Sequence, residues 1–213
     1  MRAFYAVIYA IVFPFFNLVH PNRTIGREHI PEGGVLVCSN HTALSDPVFL
    51  AFALQRKNQI RPMAKAELLR IPVLGWILKH IGVFGVERGK SDVGAIKHAM
   101  KLLKEGEKVL LFPEGHRVHQ GEAGQGEGKN GAAMLAVRCG VPILPVYVPE
   151  KKNWFRRTTI VIGEPYHPQV SSRKGTMEEY DAAGIFENAK EFSDTALIVI
   201  SRSGGEGADL PTS

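Results

Sequence analysis

The chain has 213 residues, 45% hydrophobic and 22% charged, a balance that supports a substantial folded core and excludes a disordered chain. The formal net charge of +5 fits an anionic partner such as a lipid headgroup or a phosphorylated substrate, and equally fits a solvated basic face. Two cysteines, Cys38 and Cys139, lie in apolar surroundings and read as buried thiols rather than a disulfide framework; no zinc-finger, homeodomain or RNA-binding signature occurs, so no nucleic-acid partner is expected.

The N-terminal segment Phe4 to Val19 is apolar almost all round, with Arg2 before it. It falls short of the ~20 residues that comfortably cross a bilayer, and Pro14 is expected to kink or end a helix there. Three placements fit: a helix or kinked helix pair embedded in one leaflet, a packed core helix, or a signal anchor or marginal span. From Thr24 onward apolar runs alternate between the two periodicities. Strands are expected at Val35–Cys38, Arg61–Ala64, Val83–Glu87, Lys108–Phe112, Val141–Val148 and Thr158–Ile162. Helices are expected at Asp46–Leu54, Leu74–His80, Val93–Leu103 and Ala132–Arg138, the last ended by Gly140. In Asp46-Pro47 the aspartate reads as the N-cap and the proline as the first helical residue. A glycine-rich loop runs from Gly121 to Gly128. This alternation predicts an α/β fold, a central mixed sheet flanked by helices and preceded by a membrane-inserting helical segment. The expected division is 1–22 for that segment, 23–180 for the main α/β domain, and 181–213 for an atypical tail.

Two motifs carry chemistry. The first is Asn40-His41-Thr42-Ala43-Leu44-Ser45-Asp46. Five residues along an ideal helix is about 140° around its axis, so His41 and Asp46 meet only if the histidine lies in the loop ahead of the helix. One ring nitrogen would then be held by the carboxylate and the other would serve as a general base. The second is Phe112-Pro113-Glu114-Gly115, where an apolar strand runs into a turn followed by His116 and Arg117. Arg88, beside Gly89, and Lys129, ahead of a helix, add cations suited to phosphate oxygens. Taken singly, each basic residue also fits a solvated surface charge. His116 and His119 lack a full ligand set, and no metal is expected.

The order of these motifs resembles the glycerophospholipid acyltransferases, in particular the 1-acylglycerol-3-phosphate acyltransferases. It begins with Asn40-His41 and Asp46, then Met63-Ala64-Lys65-Ala66-Glu67-Leu68 leading to Pro72-Val73-Leu74-Gly75-Trp76. Gly82–Arg88, Phe112-Pro113-Glu114-Gly115 and Val141-Pro142-Ile143-Leu144-Pro145-Val146 follow. The resemblance covers roughly 1–180. It implies His41 as catalytic base with Asp46 as its partner, and an acceptor site shaped by Arg88, Glu114, Gly115 and Arg117, with Lys129 as a further phosphate contact. It also implies acyl-CoA or acyl-acyl carrier protein as donor substrate, lysophosphatidate as acceptor, no cofactor, and a peripheral or monotopic place on the cytoplasmic side of the cell membrane. His116 stands where the family usually has threonine.

The tail departs from the family. Glu178–Phe192 fits one amphipathic helix and Asp194–Ile200 a strand, but Phe192–Asp209 resembles a segment of the family 3 glycoside hydrolases, to which no activity is assigned. Two readings compete with phosphatidate synthesis: acylation of another lyso-lipid, and a membrane-peripheral lipid-binding protein with an impaired site. A lipase or thioesterase is disfavoured because no Gly-x-Ser-x-Gly elbow occurs.

Overall fold

The computed structural model describes residues 2–87, 92–113, 128–152 and 154–168, with the side chains of 128–130 left out. Helix α1 (Arg2–Val19) leads into strand β1 (Asn22–Ile25), strand β2 (Val35–Ser39) and helix α2 (Asp46–Leu54). Strand β3 (Ile60–Lys65), helix α3 (Leu74–His80), strand β4 (Phe84–Val86), helix α4 (Val93–Lys104) and strand β5 (Lys108–Leu111) follow. Helix α5 (Gly128–Cys139) and strands β6 (Ile143–Tyr147) and β7 (Thr158–Ile162) complete the described elements, with single 3₁₀ turns at Arg27–His29 and Ala66–Arg70. The strands form one mixed sheet in the order β1-β7-β6-β2-β5-β3-β4. Every pairing among β6, β2, β5, β3 and β4 is parallel; β7 runs antiparallel to β6 and carries β1 parallel at its outer edge.

The central strand β2 is buried along its whole length, as a parallel strand covered on both faces must be. Its side chains alternate between two cores. Val35 and Val37 pack with Phe49, Leu50, Ala53 and Leu54 of α2 on one face. Leu36 and Cys38 pack with Ala99 and Leu103 of α4 and Ala132 and Ala136 of α5 on the other. Because β6, β2, β5, β3 and β4 all point the same way, the loops leaving their carboxyl ends gather along one edge of the sheet.

Three expectations are corrected here. Of the two outcomes expected at Pro14, a kink or an end, the end does not occur: helix α1 runs through it. The backbone bond lost at the proline is offset by packing on either side of it. Tyr9 and Phe13 pack against Phe52, and Phe16 packs against Phe49 and Phe52, with ring centroids 4.8–5.2 Å apart. Secondly, Asp46 is the first residue of α2, and Ser45 occupies the cap position without a side-chain bond. The Asp46 carboxylate is folded back onto the preceding loop instead of forward onto its helix. Thirdly, Cys139 is half-buried; it and the buried Cys38 are both free thiols.

Candidate active site

Strands β2 and β5 are parallel neighbours with Cys38 opposite Leu111, so the residues that follow them emerge side by side. His41 and Phe112 are those residues. Their rings stack with centroids 4.2 Å apart and planes inclined by 23°. The two motifs therefore converge at the carboxyl edge of the sheet.

On the other side of β2, Ser39 pairs with Val146 of β6. Just beyond, the Asn40 side chain stands in for a strand partner. Its Nδ2 donates to the Val148 carbonyl at 2.7 Å, and its Oδ1 accepts from the Val148 amide at 2.9 Å. This pair of hydrogen bonds fixes the start of the His41 loop to the chain leaving β6.

The loop closes on Asp46, which is fully buried. Its Oδ2 accepts from the Thr42 and Ala43 amides, each at 2.7 Å, and lies 3.1 Å from His41 Nδ1. The arrangement is a tight turn built on a carboxylate, and it seats the histidine in the loop as the spacing requires. Burial alone would raise the Asp46 carboxyl. The hydrogen bonds from His41, the Ala43 amide, Lys152 and the Thr42 amide outweigh burial and hold it below the ordinary carboxylate range. Lys152 is the unexpected member: its Nζ lies 2.8 Å from Asp46 Oδ1 and donates to Thr42 Oγ1 at 2.8 Å.

With Nδ1 turned to an ionised carboxylate, the His41 imidazole is oriented to take a proton at Nε2. Cys38 is a poor rival nucleophile. It faces the α4–α5 core, and burial pushes its thiol up to about 12.

Of the residues expected to form the acceptor site, Arg88, Glu114, Gly115 and Arg117 lie outside the described residues, as do His116, His119 and the tail from 169. Lys129 falls in the first turn of α5, with its side chain undescribed. Among the described residues, β4 ends at Val86, and Pro113 directly follows Phe112. The sequence gives no signal for the Asn40 clamp or for Lys152, because both depend on a strand neighbour more than 100 residues away.

The chain, an α/β domain with a His–Asp pair in a loop at the carboxyl edge of its sheet, belongs to the Acyltransferase family, whose model matches residues 22–149. Among its relatives is the 1-acyl-sn-glycerol-3-phosphate acyltransferase of Pseudomonas aeruginosa, 32% identical over 166 residues, 72% of this chain and 62% of that protein. The enzyme of the same name in Bacillus subtilis is 31% identical over 151 residues, covering 68% of this chain and 73% of that protein. In Borreliella burgdorferi the match is 33% over 138 residues, and it spans only 54% of the relative. The chain thus covers less than two thirds of several relatives. Among solved structures, the 1-acyl-sn-glycerophosphate acyltransferase of Thermotoga maritima superposes with a TM-score of 0.60 at 26% identity, over 91% of this chain and 77% of that one.

Proposed function

We propose that the protein transfers a fatty acyl group from an acyl thioester, acyl-CoA or acyl-acyl carrier protein, to the sn-2 hydroxyl of 1-acylglycerol 3-phosphate, giving phosphatidic acid. The observation that carries this reading is the His41–Asp46 pair, 3.1 Å apart in a loop braced by Phe112, Asn40 and Lys152. The similarity to 1-acyl-sn-glycerol-3-phosphate acyltransferases supports the choice of substrate class. In the proposed step His41 Nε2 takes the proton of the acceptor hydroxyl as its oxygen attacks the thioester carbonyl. The tetrahedral intermediate collapses with cleavage of the C–S bond, and the departing thiolate takes the proton from His41. A thiolate is a good leaving group, so one base serves both halves of the reaction. Arg88, Arg117 and Lys129 supply the cations for the acceptor phosphate in this reading, with Glu114 and Gly115 shaping the turn beside them.

The same reading places the protein on a membrane surface. Helix α1 has two apolar stripes on opposite sides. Tyr5, Tyr9, Phe13 and Phe16 face the domain, with Tyr5 buried and the rest packed on α2. Val7, Ile11, Phe15 and Leu18 recur at the same spacing on the outer side and are 54–71% exposed. A helix held lengthwise against its domain, with its outer stripe apolar, fits immersion in one leaflet better than a span. Exposed aromatic residues flank both ends: Trp76 beside Phe4, and Trp154 beside His20. Tryptophans of this kind favour the water–lipid boundary.

The test is acyl transfer by the purified, detergent-solubilised protein with both donor types and a panel of lyso-lipid acceptors. Preference for 1-acylglycerol 3-phosphate supports the reading; preference for an acceptor without the phosphomonoester overturns it.

A further inference from the structure

Asp46 has two oxygens with different neighbours. Oδ2 accepts from the Thr42 and Ala43 amides and faces His41. Oδ1 is met by Lys152 alone among the hydrogen-bonding and ionic groups of the described residues, at 2.8 Å. The lysine side chain is itself 6% exposed, and its second contact, to Thr42 Oγ1, lies in the same loop. Both of its polar contacts are thus spent on the His41–Asp46 turn. Burying a lysine is costly unless its charge is matched, and the match chosen here is the carboxylate that orients the histidine.

We propose, resting on the acyl-transfer reading above, that Lys152 is a positioning residue for the reaction: it compensates the charge of Asp46 and pins Thr42, so that His41 faces a neutralised carboxylate. The chemical reason lies in the two states of a general base. A bare buried carboxylate favours whatever positive charge lies beside it. A carboxylate already paired with an ammonium still accepts the Nδ1 hydrogen and fixes the ring, with its own charge already matched. Among the described residues, the ionisable groups that meet the Asp46 carboxylate are His41, from the loop after β2, and Lys152, from the chain after β6. Helix α2, on which Asp46 sits, brings no basic residue in its last turn and no other acid in its first.

The experiment is the pH dependence of turnover by the full chain in detergent, with acyl-CoA and 1-acylglycerol 3-phosphate, for the wild type and for Lys152→Met, Lys152→Gln and Lys152→Arg. Met removes both charge and donor, whereas Gln keeps a donor. Both are expected to move the acid limb of the profile upward by about one pH unit, with the KM for acyl-CoA changed less than twofold. Arg, which keeps the charge, is expected to keep the wild-type limb. A folded Met or Gln variant whose limb stays at the wild-type pH, with only its amplitude reduced, would overturn the proposal. Failure of both to reach the native fold would assign Lys152 to stability and count against it equally. An inactive wild type would remove the acyl-transfer reading itself, a result distinct from an active wild type with insensitive variants.

Discussion

The ring of Phe112 lies flat against the imidazole of His41, 4.2 Å away, although 71 positions separate them in the chain. The contact follows from the pairing of β2 with β5, which brings the ends of two adjacent parallel strands together. It gives the phenylalanine a definite task, which is to fix the plane of the histidine ring while Asp46 fixes its rotation about that plane. Phe112→Ala should therefore lower kcat about tenfold with little change in the KM of either substrate, since stacking of this kind is worth ~0.5–1.5 kcal/mol. Steady-state kinetics on both substrates check this.

Asp46→Asn should cost stability as well as rate. The substitution leaves Lys152 buried without its carboxylate, and breaking a buried pair by removing one partner typically costs ~3–5 kcal/mol. The lost N-cap expected from sequence alone would have cost only ~1 kcal/mol, so denaturant titration separates the two roles. The pH dependence has a definite sign. The folded Asp46 carboxyl sits below its ordinary 3.8, so its stabilising effect is complete above that pH and is lost as pH falls below it. The Asn variant should lose less stability than the wild type over that acid range.

Transfer should proceed without an acyl-enzyme. Cys38 points into the core away from the loop, with its thiol raised to about 12, so little thiolate exists at neutral pH. Intact-protein mass spectrometry after incubation with acyl-CoA alone should show no adduct. An acyl group on Cys38 would require a ping-pong mechanism.

The two stripes of α1 allow membrane contact to be separated from folding. Replacing Ile11, Phe15 and Leu18 with serine removes exposed side chains and leaves the packing of Phe13 and Phe16 on α2 in place. The triple variant should keep its thermal midpoint within a few degrees, fail to sediment with phospholipid vesicles, and lose activity on long-chain acceptors more than on short-chain ones. Each side chain contributes ~1.5–3 kcal/mol to burial in lipid. Undiminished sedimentation would place the anchor elsewhere.

How much of this was legible beforehand depended on whether a feature is local. The apolar runs at Val35 and Thr158 declare buried strands, and Thr158–Ile162 is found where periodicity put it. The strand Asn22–Ile25 was not expected; its sequence is short and largely polar, and it pairs with β7 at the sheet edge. His41 and Asp46 were legible because their spacing and the following proline are local signals. Lys152 was not, since nothing in Pro149-Glu150-Lys151-Lys152 distinguishes a buried lysine from a solvated one. Its role appears only when the chain leaving β6 is laid beside the loop leaving β2.

The most direct measurement compares phosphatidate formation by wild type and His41→Ala, from acyl-CoA and 1-acylglycerol 3-phosphate, with circular dichroism confirming that both are folded. If His41 is the base, the wild type forms phosphatidate and the variant is slower by ~10²–10⁴-fold. A folded His41→Ala protein that turns over at the wild-type rate would contradict the assignment of His41 as the base of an acyl transfer.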